Sequence, residues 1–201
     1  MSNRFNRVSA WNILRRRSQE AGAVVSTLAG QLNAWLAGVD LGKGCKFYGR
    51  TTFQKAHDAS MQFGDGCSFR SSSRANLIGI NRPCIVSAQK GARLVVGANC
   101  GFSGTVIGCF SEITVGNHVR CGANTTITDG DWHQSDKRSG AHTPVIIEDN
   151  VWLGLSVIVL KGVTIGANSV IGAGSVVTQS IPSNVIAAGN PCRSLKEIRC
   201  G

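Results

Sequence analysis

From Ile147 onward the apolar positions recur every six residues. IEDNVW, LGLSVI, VLKGVT, IGANSV, IGAGSV and VTQSIP follow one another, opened by Ile147, Leu153, Val159, Ile165, Ile171 and Val177. Four places further on stand Val151, Val157, Val163, Ser169 and Ser175, all small or β-branched, and Gly follows the aliphatic in three of the six hexads. A helix would repeat every 3.6 residues and a flat strand every two. A period of six predicts short strands joined by tight turns. Each hexad is then one side of a coil, and three hexads close a triangle. Residues eighteen apart stack: Ile147 on Ile165, Leu153 on Ile171, Val159 on Val177. Coils are expected ~4.8 Å apart, the ordinary spacing of paired strands. The aliphatics fill the prism, and each coil is supported by its neighbours.

The same frame runs upstream through VGNHVR at 115, CGANTT at 121 and ITDGDW at 127. Earlier pieces are more ragged, as terminal coils of solenoids are: VGANCG leads to Phe102, FGDGCS to Phe69 and LGKGCK to Phe47. The hexads end near Pro182, and SLKEIR reads as a tail or a short terminal helix. Residues 1–38 lie outside the repeat. There Val24, Val25, Leu28, Leu32, Trp35 and Leu36 are spaced as on an amphipathic helix. Such a helix either caps the first coil, hiding Trp35 and Leu36 against the prism, or lies on a membrane surface beside Arg15, Arg16 and Arg17. The chain thus divides into a helical segment (1–38), the repeat (39–181) and a tail (182–201).

One break in the frame stands out. The place after Ile127 falls on His133, polar where an aliphatic belongs, and the next step, to Ile147, is fourteen residues. TDGDWHQSDKRSGAHTP therefore leaves the prism as a loop at about residues 129–145. An excursion from a regular scaffold is where function is usually added. It holds Asp129, Asp131, His133, Asp136 and His142.

Composition narrows the function classes. With 42% hydrophobic residues in 201, the chain folds as one domain. Its 25 Gly against 4 Pro, without a Gly-X-Y period, exclude collagen and low-complexity linkers. The 8 Cys form no C-x-x-C and no zinc spacing, so they read as small buried residues of a protein in the reducing cytoplasm. No apolar run reaches the ~20 residues of a membrane span. A secretory leader would carry a denser apolar centre nearer the start. The formal charge of +10 attracts polyanions such as phosphorylated cofactors or anionic lipid. No RNA or DNA motif accompanies it, so nucleic acid is not an expected partner.

NVWLGLSVIVLKGVTIGANSVIGAGSVVTQSIPSNVIAAGNPCRSLKEI resembles the C-terminal half of the maltose/galactoside O-acetyltransferases and their relatives in polysaccharide biosynthesis, all hexapeptide-repeat acyltransferases. The likeness covers roughly residues 40–199. It implies an all-β solenoid, a left-handed parallel β-helix, with an N-terminal α-helix and a short C-terminal tail or helix. That hand runs against the usual right-handed crossover. The resemblance also implies acetyl-CoA as co-substrate, no metal, and a homotrimer in which the base of one subunit faces its neighbour's donor groove. The acceptor it implies is a hydroxyl of a sugar or glycan intermediate of the exopolysaccharide, capsule or lipopolysaccharide type. An amino-sugar N-acetyltransferase is the alternative. A γ-carbonic-anhydrase-like metal protein, which needs three converging histidines, and a non-catalytic assembly protein fit less well.

In that family a histidine on this loop is the general base, and His133 in D-x-D-x-H matches it. The chemistry requires such a group. A sugar hydroxyl attacks a thioester poorly unless its proton is removed, and imidazole can take that proton and return it to the leaving thiolate. Asp131 either orients the imidazole or caps the loop through its own backbone. A backbone N–H at the Gly154–Leu155 turn serves the oxyanion. Carried over position by position, the donor contacts fall on Leu155, Ala173, Thr178, Gln179 and Arg193, the last offering a planar charge to a phosphate. Better-known members often carry Lys at Gln179, a charge that Lys161 or Lys196 would offset here. The acceptor-binding position of the galactoside enzymes falls near Ser103. Trp132 offers an aromatic face to a sugar ring, and Trp152 either does the same or packs at a coil corner.

Overall fold

The computed structural model describes residues 22–133 and 135–198. Helix α1 occupies residues 22–36. The first three coils are β1 (Asp40–Leu41), β2 (Lys46–Tyr48), β3 (Thr52–Lys55); β4 (Ser60–Phe63), β5 (Ser68–Arg70), β6 (Ile85–Ala88); and β7 (Arg93–Val96), β8 (Gly101–Ser103), β9 (Val106–Cys109). The next three are β10 (Glu112–Val115), β11 (Arg120–Cys121), β12 (Thr126–Thr128); β13 (Val145–Ile147), β14 (Trp152–Leu153), β15 (Ile158–Val159); and β16 (Thr164–Ile165), β17 (Val170–Ile171), β18 (Val176–Val177). The chain ends in β19 (Val185–Gly189) and β20 (Cys192–Glu197).

Every third strand pairs in parallel, which makes three faces. The prism is a left-handed β-helix. On the first face Phe63, Val96, Val115, Ile147 and Ile165 are in register. Phe47, Phe69, Phe102, Cys121, Leu153, Ile171 and Ala187 form the second column. Phe53, Val86, Ile107, Ile127, Val159 and Val177 form the third. The three stacking pairs expected from the hexads are among these. Phenylalanines fill the early coils, with Phe47 stacked on Phe69 at 4.7 Å and Phe69 on Phe102 at 5.3 Å. Burying each such side chain is worth about 1.5–3 kcal/mol, so the columns, repeated coil after coil, hold the prism. All seven described cysteines are buried and free, as small core residues. Burial and the nearby Asp129 carboxylate push the Cys109 thiol up to about 12, which keeps it protonated.

The turns explain the rest of the hexad. Between the first and second faces one residue per coil is left-handed: Asn99, His118, Asn150, Asn168 and Asn184, with φ between 59 and 61°. Asn tolerates that conformation better than most side chains. The asparagines also form a ladder, Asn150 donating to Asn168 at 3.0 Å and Asn168 to Asn184 at 2.9 Å. Between the second and third faces, Gly122, Gly154 and Gly172 stack so closely that a Cβ on Gly154 would lie 2.7 Å from the Ala173 nitrogen.

Three details differ from the sequence reading. The helix does cap the first coil, but through its small residues. Ala34 is fully buried, a Cβ on Gly30 would overlap the Phe47 ring, and the Asn33 amide donates to the Thr51 carbonyl at 2.9 Å. Only small residues permit that approach, so Trp35 and Leu36, expected against the prism, point outward at 72% and 69% exposure. At the other end residues 194–198 take the non-helical alternative. β19 joins β17 in parallel and β20 folds back antiparallel on β19, so the last backbone groups pair within the second face. Finally, residues 71–84 form a second excursion between β5 and β6. Arg82 fastens it, donating to the Asn124 carbonyl at 2.6 Å and to Thr126 Oγ1 at 3.2 Å. Arg15–Arg17 lie outside the described residues.

Candidate active site

The loop between β12 and β13 begins at Asp129, which is fully buried. Its carboxylate accepts three consecutive backbone N–H groups of the preceding coil: Phe110 at 2.6 Å, Ser111 at 2.8 Å and Glu112 at 2.6 Å. These donors would otherwise be unpaired where the chain turns from β9 to β10, so one side chain satisfies that corner and roots the loop.

Farther out the loop is fastened twice more. Asp131 Oδ2 accepts from Lys161 Nζ at 2.7 Å and from the Gly140 N–H at 3.2 Å. The Lys161 hydrogen bond holds the Asp131 carboxyl below the usual carboxylate range. Phe110 meets the Trp132 indole edge-on at 5.0 Å and stacks on the His142 ring at 5.1 Å. Gly108 leaves room for the indole, since a Cβ there would stand 2.7 Å from Trp132 Cζ2. Trp132 nevertheless stays 57% exposed, so much of its surface is open.

His133 is exposed. Its carbonyl accepts from the Asp136 N–H at 3.0 Å and from the Ser139 hydroxyl, which fixes the backbone. The imidazole has no hydrogen-bond partner among the described residues. The Asp131 carboxylate is turned to Lys161 and to the loop's Gly140 N–H, the latter a contact of the kind expected of a loop cap. Lys161 is correspondingly engaged with the loop. His142 is half-buried against Phe110.

The positions expected to meet the donor follow the C-terminal ends of β14, β17 and β18, with Arg193 in β20. Leu155 and Ala173 occupy equivalent turns on successive coils, linked by the Gly174 N–H donating to the Leu155 carbonyl at 2.7 Å. At the turns between the first and second faces, side chains cap backbone donors: Asp65 for Lys43 at 2.7 Å, Asn117 for Ala98 at 2.9 Å, Asp149 for Asn117 at 2.7 Å and Glu148 for Ala167 at 2.8 Å. The corresponding N–H groups of Ala123, Leu155 and Ala173 have no acceptor among the described residues. A column of uncapped donors at a corner floored by small residues fits an extended, amide-bearing ligand, and the one at Leu155 fits an oxyanion. Arg193 pairs in register with Ala188, against which Gly172 packs, so its backbone lies next to the same corner and its side chain is exposed. Thr178 and Gln179 are exposed just after β18.

Ser103 is not brought to the surface. It is 6% exposed, and the second excursion roofs its neighbour Gly104, where a Cβ would stand 2.8 Å from the Arg82 carbonyl. Trp152 is half-exposed on the outer side of the second face. Sequence reasoning did not single out Phe110 or the role of Asp129. The signal was present as a carboxylate immediately after an in-frame strand, but its partners lie on the previous coil.

Residues 144–179 match the family model for the hexapeptide repeat of succinyl-transferase. Within that span the chain carries the hexapeptide repeat. The chain is 52% identical over 92 residues to a galactoside O-acetyltransferase of Lactococcus lactis, covering 44% of each chain. It is 41% identical over 114 residues to the galactoside O-acetyltransferase of Escherichia coli, covering 54% of this chain and 56% of that one. The alignments thus span about half the length of these relatives. Among solved structures, a hexapeptide-repeat acetyltransferase of Vibrio cholerae complexed with acetyl coenzyme A superposes with a TM-score of 0.52 at 25% identity, over 85% of this chain and 76% of that one.

Proposed function

We propose that this protein is an acetyl-CoA-dependent O-acetyltransferase that acts on a hydroxyl of a sugar or glycan intermediate, with His133 as general base. The observation that carries the reading is the unpartnered, exposed imidazole on a loop tied to the prism at its root by Asp129 and farther out by Lys161. A base held in place by others, with its own nitrogens unspent, is ready for an incoming hydroxyl.

In the proposed reaction the imidazole takes the hydroxyl proton as the oxygen attacks the thioester carbonyl. The Leu155 N–H stabilises the oxyanion. The carbon–sulfur bond then breaks, and the imidazolium returns its proton to the thiolate. The uncapped N–H of Ala173, with Thr178 and Gln179, would hold the pantetheine arm, and Arg193 a phosphate. Trp132 would meet the sugar ring. The similarity to galactoside O-acetyltransferases supports oxygen as the acceptor atom. The proposal includes a homotrimer in which His133 serves the donor corner of a neighbouring subunit.

The deciding experiment follows thiol release from acetyl-CoA against a panel of oligosaccharides and amino sugars. Acceptor-dependent release with an O-acetyl product is expected, and His133→Ala should lower it by ~10²–10⁴ without altering the fold. A variant within a few-fold of the parent would overturn the role of His133. Acetylation of amino sugars alone would establish the N-acetyltransferase instead.

A further inference from the structure

Helix α1 turns its larger apolar side chains away from the prism. Val24, Val25, Leu28, Leu32, Trp35 and Leu36 are 56–72% exposed, and no charged residue occurs between residues 22 and 36. Single exposed apolar residues are ordinary, but a continuous stripe along a helix marks an interaction surface. Beside it runs a groove of ≈ 960 Å³ whose other wall includes Lys46, Tyr48, Arg70 and Arg74. No acidic residue lines the groove, and none of its cations pairs with a carboxylate among the described residues. Beyond Arg74, the second excursion exposes Leu77 and Ile78 at 77% and 66%. Helix α1 thus sets an apolar stripe beside a cationic strip at the first-coil end of the molecule, and the second excursion adds two exposed apolar side chains where it reaches the third and fourth coils.

We propose that this end docks on an anionic lipid surface. Apolar side chains of α1 would enter the headgroup boundary while Lys46, Arg70 and Arg74 meet lipid phosphates. A second copy of the chain is the rival occupant. In a symmetric pair, however, the same unneutralised cations would face one another, whereas a sheet of phosphates complements them. The inference does not depend on the acetyl-transfer reading, because its readout is binding.

The test is flotation of the full chain with vesicles, either pure phosphatidylcholine or phosphatidylcholine mixed with phosphatidylglycerol. Flotation is expected with the anionic vesicles at low salt, with a strong decrease at high salt and little binding to the neutral ones. Leu28→Ser with Trp35→Ser should lower partitioning about tenfold or more. Lys46→Ala with Arg74→Ala should lower it about fivefold per charge. Circular dichroism and activity on a soluble acceptor should stay at the parent level for both. The proposal fails if the full chain does not float with anionic vesicles. It also fails if the α1 changes alter the mass in light scattering rather than the flotation, since the face is then a subunit interface. If only removal of Arg15–Arg17 abolishes flotation, the docking surface proposed here is not the one used.

Discussion

Lys161 Nζ donates to Asp131 Oδ2 at 2.7 Å, which fastens the loop carrying His133 to a residue thirty positions on, in the next coil. The pair is partly exposed, so it is a latch more than a source of stability. Lys161→Ala should therefore leave the melting temperature within a few degrees of the parent. It should lower kcat about tenfold, because a base displaced by even an ångström loses its geometry. Lys161→Arg should restore most of the rate. Steady-state kinetics, with limited proteolysis between residues 135 and 141, would check both effects. Equal loss of rate and of global stability would instead make the contact merely structural.

The same pair predicts a pH effect. The Lys161 hydrogen bond lowers the Asp131 pKa. The latch is thus fully present above the usual carboxylate range and weakens as pH falls through the lowered value. In Lys161→Ala that depression is gone, so protonation of Asp131 and release of Gly140 should begin at higher pH. Proteolysis of the loop as a function of pH should show the shift. Coincident profiles for parent and variant would refute it.

Asp129 is a different kind of residue. Its three backbone donors are the buried corner between β9 and β10, and removing the acceptor leaves them without partners. An unsatisfied buried polar group costs about 1–3 kcal/mol. Asp129→Ala should destabilise the chain by about 2–5 kcal/mol in urea denaturation, with Asp129→Asn milder because one acceptor oxygen remains. A cost below ~0.5 kcal/mol would show that water replaces the carboxylate freely.

The loop was legible because it breaks the repeat: a period of six fails at His133, where a polar residue falls on a position that the frame would turn inward. The second excursion was hidden by its length. Phe69 and Val86, which open adjacent faces, stand seventeen residues apart, close to a whole coil of eighteen, so the insertion scarcely disturbs the apolar frame. The orientation of α1 was hidden for another reason. Its apolar stripe is plain in the sequence, but the side that meets the prism is chosen by how near Gly30 can come to Phe47, a contact seventeen residues apart. Likewise Ser103 aligned with an acceptor position, yet the excursion that roofs its corner belongs to a distant part of the chain.

Among the described residues the Arg193 guanidinium donates only to the neighbouring Cys192 carbonyl, at 2.8 Å, and the side chain is otherwise exposed. Its loss should cost little stability. If the guanidinium meets a phosphate of the donor, Arg193→Ala removes a charge-assisted bond worth about 1.5–3 kcal/mol. The expected outcome is a KM for acetyl-CoA raised at least tenfold, with kcat at saturation nearly unchanged. Titration of CoA by calorimetry should show the same weakening. Equal affinity in parent and variant would remove Arg193 from the donor site.

Gly154 tests the donor corner through the backbone. A methyl group there would stand 2.7 Å from the Ala173 nitrogen, 2.9 Å from the Ile171 carbonyl oxygen and 3.0 Å from the Ala173 Cα. All three atoms are main chain, so Gly154→Ala must push one coil off the next at the turns that carry Leu155 and Ala173. Overpacking of this kind costs about 1–3 kcal/mol. Gly44→Ala is the matched control. Gly44 has φ +71° and open space around its missing Cβ, so the change is strained by conformation alone, at the first coil. Both variants should lose stability of the same order in urea, but only Gly154→Ala should raise the KM for acetyl-CoA, because only it moves the uncapped N–H groups. If Gly154→Ala and Gly44→Ala bind acetyl-CoA equally well, the corner between the second and third faces does not hold the donor.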